Sequence, residues 1–335
     1  MPVTAEAALR RAMPLVKEAV ASGRIPGAVL GVATGDGRAI ASCGFAQIEP
    51  ERIAITNETV FDLASLTKPI ATTTAILERS DRGLVDLDAP LASIVPDLRY
   101  YDERAPERAL TFRALLGHGT FLPAVEPLYT YGQDPGTLRA FILQRAWAHG
   151  PPVYSDINYM LLGIALERID GRPLAELPLA PGFTFRPDPA DCAATERCPW
   201  RGRVLRGEVH DENAFALGGA AGHAGLFGRM TDVLGFASSI LTGEGWSEAA
   251  LGGIFAPISE TRTLGWEIRH ANWAGGQACS AGTIGHTGFT GTGLWIDRAG
   301  GVAWSLLTNR VHPTRFAPSG IMPLRRAVGD AVCAG

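Results

Sequence analysis

The sequence predicts an α+β fold in which an antiparallel sheet is assembled from both ends of the chain around a large helical insertion. Short apolar runs bracketed by turn residues lie near the start, at 28–34 and 39–46, and return beyond residue 260. The first two are separated by Gly35-Asp36-Gly37, whose Asp-Gly dipeptide signals a hairpin. The long middle of the chain reads as helices. Strands at both ends with helices between place the sheet in 1–60 and 255–335 and the helical region in 61–254, with a site expected at their junction. A chain of 335 residues, 46% of them apolar, can bury the core that one large domain or two intimate ones would need.

Taken in order, residues 4–22 form an amphipathic helix stopped by Gly23 and Pro26, and 47–60 connect the hairpin to the helical region. A helix is expected over 65–80, closing at Gly83, then one that begins at Thr111 and covers 112–116, and others at 136–148 and 157–169. Residues 180–213 lack apolar periodicity and read as a long loop, with Cys198-Pro199-Trp200-Arg201-Gly202-Arg203 as an ordered wall or lid of a pocket. Helix resumes over 231–241. Strands follow at 263–269, 282–286, 293–297 and 302–308, and a last helix near 320–333.

Composition narrows the function. The net charge of −4 comes without any block of like charge, so nucleic acid and anionic membranes are poor partners. Arg10, Arg11, Lys17 and Glu18 interrupt the apolar residues near the start, so no export signal can be drawn, no run of 18 apolar residues exists, and a cytoplasmic location is expected. Cys43, Cys192, Cys198, Cys279 and Cys333 are scattered without C-x-x-C pairs, the pattern of reduced thiols rather than a zinc site. G-x-S-x-G, H-E-x-x-H and the P-loop are all missing, and neither a metal nor any other cofactor is expected.

The chemistry concentrates at Phe61-Asp62-Leu63-Ala64-Ser65-Leu66-Thr67-Lys68-Pro69. If Ser65 opens a helix, Lys68 shares its face, so a nucleophile and a base are neighbours. The unpaired N–H groups of a helix start favour the oxyanion of acyl transfer. Pro69 removes the N–H that the Ser65 carbonyl would otherwise receive, a local irregularity. Of 30 basic residues only Lys17 and Lys68 are lysines. Arginine does not act as a base, whereas a desolvated lysine can, so Lys68 beside a serine is informative; the plain alternative is a solvent-facing helix lysine.

Two further stretches join it: Tyr154-Ser155-Asp156, and His286-Thr287-Gly288 followed by Phe289. Together, and in this order, the three resemble the S-x-x-K, Y-x-N and K-T-G motifs of the serine beta-lactamase and penicillin-binding protein superfamily, nearest to its class C beta-lactamase, D-aminopeptidase and family VIII esterase branch. The resemblance spans roughly Pro26 to Asn309. It implies a beta-lactamase/transpeptidase-like fold and an acyl-enzyme on Ser65, with Lys68 and Tyr154 managing its proton and the N–H groups of Ser65 and Phe289 forming an oxyanion hole. Asp156, His286, Thr287 and Gly288 are then expected to face a small-molecule acyl substrate. The oligomeric state is left open.

Two departures matter. Asp156 stands where many relatives carry Asn, and a carboxylate there favours the ammonium of Lys68 and disfavours a Tyr154 phenolate, which leaves open which of the two is the base; the expectation is a Lys68 that stays charged and a Tyr154 that shuttles the proton. His286 replaces a lysine that helps hold the carboxylate of beta-lactams, and a neutral imidazole anchors it less well. The balance moves towards an esterase-like hydrolase of small esters or amides. A D-amino-acid-specific peptidase or beta-lactamase and a non-catalytic sensor are the alternatives. Tyr154 as a plain core tyrosine is the bland reading of that residue. His118 is expected as a buried histidine bonded to backbone, His223 as either pocket lining or a passenger among packing glycines, the His210-Asp211-Glu212 run as a turn or cap, and Asn309 as a strand end.

Overall fold

Residues 4–334 are described by a computed structural model. Helix α1 (Ala5–Ala21) starts at Thr4, whose hydroxyl accepts the Ala7 N–H at 3.2 Å, and buries Ala8, Ala12, Val16 and Ala19 along one face. Strands β1 (Gly27–Thr34) and β2 (Gly37–Gln47) form the hairpin that Asp36-Gly37 called for, and β3 (Ile53–Ala54) adds an outer strand. The chain then leaves the sheet through a short strand, β4 (Phe61–Asp62).

Helices α2 (Thr74–Asp81), α3 (Phe112–Leu116), α4 (Pro135–Gln144) and α5 (Asp156–Asp170) follow, then a hairpin of β5 (Ala194–Cys198) and β6 (Arg203–Arg206). After α6 (Glu212–Ala216), β7 (Phe227–Gly228) pairs with β4, and α7 (Met230–Thr242) and α8 (Glu248–Phe255) lead back to the sheet. Its remaining strands are β8 (Glu267–Ile268), β9 (Ile284–Thr287), β10 (Gly293–Asp297) and β11 (Val302–Thr308), before the closing helix α9 (Ile321–Cys333).

The sheet has seven strands in the order β3-β2-β1-β11-β10-β9-β8, every pair antiparallel, so the two ends of the chain meet where Ala28 to Thr34 pair with Thr308 to Val302. Asn309 fastens that seam: its Oδ1 accepts the Gly27 N–H at 3.1 Å and its Nδ2 donates to the Ala46 carbonyl at 2.9 Å. One face of β1, through Ala28, Leu30 and Val32, packs into a cluster with α1 and α9. The other, through Val29 and Ala33, joins the core of the helical region, with α7 laid across it. Both faces being buried, β1 reads as one continuous apolar run.

Three expectations change. The helix foreseen over 65–80 is not one helix: a 3-10 turn (Ala64–Leu66) and a π-helical turn (Lys68–Thr73) precede α2. The irregular 180–213 segment, expected as a loop, contains the β5–β6 hairpin; its Cys198–Arg203 turn does wall a pocket, a surface cleft with Pro50 that is separate from the cavity at Ser65, and Trp200 packs on Tyr129 and Phe215. Of the strand expected at 263–269 only Glu267–Ile268 pairs, since the 258–266 segment folds back on itself through Ile258 N–H to Arg262 O and Thr263 N–H to Trp266 O.

Candidate active site

The approach to Ser65 is fixed from both sides. Asp62, buried at the end of β4, accepts the Ala64 N–H at 2.8 Å and the His210 N–H at 2.6 Å. Ala64 then takes a φ of +49°, a left-handed conformation that costs a non-glycine residue energy and that the Asp62 bonds hold in place. Ser65 follows in the 3-10 turn, and the Thr67 hydroxyl donates back to the Ala64 carbonyl at 2.6 Å while accepting the Leu226 N–H at 3.1 Å. Pro69 cannot supply an i→i−4 bond, and the helix widens here into its π turn.

That widened start puts Lys68 Nζ 2.9 Å from Ser65 Oγ. Lys68 is fully buried, which removes the reading of a solvent-facing helix lysine. Its ammonium also donates to the His223 carbonyl at 3.1 Å and lies 2.8 Å from Asp156 Oδ1, close enough for a strong charge interaction though poorly aligned as a hydrogen bond. Burial works against the charged form of Lys68, but Asp156 and then Tyr154 outweigh it and hold the lysine above its ordinary range. Lys68 is therefore an ammonium in the resting site.

Asp156 comes to this point as the first residue of α5, its N–H donating to the Ala124 carbonyl at 2.9 Å. The ring of Tyr154, two residues earlier, has its centre 4.9 Å from Lys68 Nζ. Burial pushes the Tyr154 phenol up, Lys68 pulls it down and Asp156 pushes it up again, with a net rise. The phenol thus keeps its proton at rest.

The strand side arrives through the turn after β9. Thr290 and Thr292 donate their hydroxyls to the carbonyls of Asp62 and Leu63, at 2.8 and 3.0 Å, and so staple this turn to the residues just before Ser65. Gly288 sits at the contact: a Cβ there would fall 2.6 Å from the Leu63 carbonyl oxygen and 2.1 Å from Thr292 Oγ1. Phe289 comes next, and among the described residues its N–H has no acceptor. Ser65, Tyr154, Asp156, His286, Thr287, Gly288 and Phe289 all border one open cavity of about 510 Å³. Another cavity, about 490 Å³, lies behind the π turn between Ile70 and Trp246 and holds none of these residues.

The Beta-lactamase family profile matches residues 14–328. The chain belongs to the beta-lactamase family. It is 30% identical to an N-acetylmuramyl-L-alanine amidase of Bacillus subtilis (strain 168), over 92% of this chain and 82% of that one. It is 31% identical to a putative D-alanyl-D-alanine carboxypeptidase of Escherichia coli (strain K12), over 78% of this chain and 71% of that one. Its fold matches that of EstCE1, described as a hydrolase with promiscuous acyltransferase activity, with a TM-score of 0.74, 22% identity and 98% of each chain covered. A serine beta-lactamase fold in a hydrolase family is thus established.

Within this family member the histidines fall into two kinds. His286, buried on β9, has Nδ1 3.0 Å from the Thr287 carbonyl; a carbonyl only accepts, so Nδ1 carries the proton. Burial, followed by the charges of Lys68 and Arg262, holds His286 well below the ordinary histidine range. His118 behaves as the sequence suggested: it is buried, and its Nδ1 accepts the Ser155 N–H at 3.1 Å. His223 does not border the cavity; its ring meets Asp211 at 2.9 Å. Asp211 in turn caps α6 through the Ala214 N–H at 2.7 Å. The glycines around His223 serve packing, since a Cβ on Gly222 would fall 1.9 Å from the Tyr159 carbonyl of α5.

Sequence reasoning missed the arginines. Arg262, Arg310 and Arg325 border the same cavity as Ser65. Arg325, on α9, is buried and donates to the Gly288 and Thr292 carbonyls at 2.9 and 2.6 Å; Arg310 donates to the Phe289 carbonyl at 2.9 Å and covers that ring. No local motif flags them, because 28 of the chain's residues are arginines and these three lie on separate segments.

Proposed function

We propose that this chain is a serine hydrolase that cleaves small ester or amide substrates through a covalent acyl-enzyme on Ser65. The observation that carries the reading is the 2.9 Å contact between Ser65 Oγ and a fully buried Lys68, on the floor of an open cavity. A lysine is expensive to bury without a task, and this one points at a hydroxyl. In the proposed step Ser65 Oγ attacks the acyl carbon, and the N–H groups of Ser65 and Phe289 receive the oxyanion. Tyr154 passes its own proton to the departing oxygen or nitrogen and takes up that of Ser65, so no resting phenolate is needed. Lys68, kept charged by Asp156, stabilises negative charge as it crosses the tyrosine. Water then attacks the acyl-enzyme by the reverse relay.

A D-amino-acid-specific peptidase, preferring amide over ester bonds, is the second reading, and it is favoured by the amidase and carboxypeptidase names of the two relatives at 30% and 31% identity. The test assays a short-chain nitrophenyl ester, a chromogenic cephalosporin, a D-alanyl-D-alanine peptide and N-acetylmuramyl-L-alanine in parallel, with wild type and Ser65→Ala. The expected result is turnover of at least one substrate that Ser65→Ala abolishes, with an acyl adduct on the Ser65 peptide by mass spectrometry. Turnover retained by Ser65→Ala would remove this serine from the mechanism.

A further inference from the structure

The second cavity, about 490 Å³, has the size of a small-molecule site and no lining residue in common with the cavity at Ser65. It is built from three parts of the helical region: the π turn running into α2, the 178–183 loop, and the link from α7 to α8. Its inner surface is apolar, with Ile70, Ala71, Ala75, Phe183, Phe236 and Ala250 all buried. Trp246, half-buried, sets its indole against Phe236, edge to face, with ring centres 6.0 Å apart.

The polar chemistry of this cavity has one sign. Its side-chain donors are used within the wall: the Thr74 hydroxyl donates to the Pro69 carbonyl at 3.1 Å, the Ser239 hydroxyl to the Phe236 carbonyl at 2.8 Å, and the Trp246 N–H to Ser239 Oγ at 3.0 Å. Three carboxylates, on Glu78, Asp81 and Glu244, are exposed and so stand at the mouth. Among the described residues no lysine, arginine or histidine lines the cavity. Glu78 touches Arg79 at 3.0 Å, but that guanidinium is also held by the buried side of the helical region through Asp170 at 2.7 Å, so Arg79 leaves the mouth negative. Asp81 accepts the Ser247 hydroxyl at 2.8 Å and meets no cation among the described residues, and the Glu244 carboxylate has no partner among them.

We infer that this cavity is a binding site for an amphipathic organic cation: an aromatic or aliphatic body carrying one ammonium group. The body enters the apolar interior, where the aromatic rings favour it and, through their faces, the cationic end as well. The ammonium stays at the mouth, where acceptors without donors match a group that only donates. An anion or a neutral acceptor meets three carboxylates and no free side-chain donor, which disfavours both classes. The inference does not depend on the acyl-enzyme reading, since neither Ser65 nor Tyr154 lines this cavity. Its occupant does touch the back of the nucleophile's own turn, because Ile70 and Ala71 belong to the π turn that begins at Lys68.

Calorimetry with three probes of one shape tests the site: 4-phenylbutylammonium, 4-phenylbutanol and 4-phenylbutyrate at neutral pH. Wild type is expected to bind the ammonium at least about tenfold more tightly than the alcohol, and the carboxylate least, with the advantage of the ammonium shrinking as salt rises. Combining Asp81→Asn with Glu244→Gln, two exposed isosteric changes, is expected to bring ammonium and alcohol to within about threefold while leaving the affinity for the alcohol unchanged. Trp246→Ala is expected to weaken both by about tenfold or more, and the exposed pair keeps the test decisive where this variant folds poorly. No binding of the ammonium, equal affinities for ammonium and alcohol in wild type, or a preference that survives the double variant overturns the assignment.

Discussion

The two walls of the cavity are built on different principles. The helical wall, Ser65 to Lys68 with Tyr154 and Asp156, is dense in mutual contacts: one buried ammonium touches a hydroxyl, a carboxylate and a carbonyl within 3.1 Å. The strand wall, His286 to Phe289 with three arginines, is held mostly through backbone carbonyls and leaves polar groups open to the cavity. A wall that moves protons needs fixed distances and fixed charge states. A wall that recognises a substrate needs groups still unpaired when the substrate arrives.

The sharpest way to break the contrast is Lys68→Met. Removing the ammonium leaves Asp156 partly buried without its partner, which costs on the order of 3 kcal/mol in denaturant unfolding. The activity loss is expected to be about 10³-fold or more in kcat/KM, in the range of a missing proton-transfer partner. Adding Asp156→Asn to this variant should restore part of the stability and none of the activity. A Lys68→Met protein as stable as wild type would mean that the pair does not hold the helical wall.

Gly288→Ala tests the seam between the walls. The added methyl meets the Leu63 carbonyl and the Thr292 hydroxyl, so the turn that presents the Phe289 N–H must shift away from Ser65. A fall of about 10²-fold in kcat with a smaller change in KM is the expected signature of a lost oxyanion donor. A change confined to KM would place this turn in recognition alone.

The same contrast explains what could be read without a structure. The helical wall, proposed to handle protons, comes from short motifs whose spacing is itself the information: Ser65 and Lys68 lie one turn apart, and Tyr154 and Asp156 flank the start of one helix. Strands β10 and β11 and helix α1 are visible for a similar reason, the strands as short, nearly continuous apolar runs and the helix as an apolar stripe, each within a few residues. The features that stayed hidden depend on long-range geometry. The break of the 65–80 helix into 3-10, π and α turns follows from Pro69 together with clamps from 222–226, such as Thr72 to the Gly222 carbonyl at 2.6 Å, 150 residues apart in sequence. Arg262, Arg310 and Arg325 acquire meaning only when three segments close on one cavity.

A smaller effect separates the two influences on Lys68. In wild type its pKa is raised, so the stabilisation carried by the ammonium is fully present below the unfolded value of about 10.4 and is lost only as pH rises through the still higher native value. In Asp156→Asn the leading influence left is burial, which lowers the pKa. The alkaline limb of the kcat/KM profile should move down by about one pH unit or more relative to wild type, and alkaline stability should fall with it. Superimposable profiles would show that the carboxylate does not set the charge of Lys68.

The smallest effect belongs to the strand wall. His286 is held neutral in the fold, its pKa depressed by burial and by the cations Lys68 and Arg262, whereas in the unfolded chain it titrates near about 6.5. A depressed native pKa gives stability that is present above the unfolded value and is lost as pH falls from there towards the native one. The loss approaches about 1.4 kcal/mol per pH unit for each such group. His118 and His312 are shifted the same way, so all three contribute to the acid side of the unfolding curve. His286→Gln should therefore flatten the fall in stability between about pH 6.5 and 5 by roughly one histidine's share, read as the pH dependence of the urea midpoint at constant m. An unchanged slope would mean that the imidazole titrates in the fold as it does in the unfolded chain, and a steeper one that it is already protonated there, which would put a cation on β9 beside the arginines.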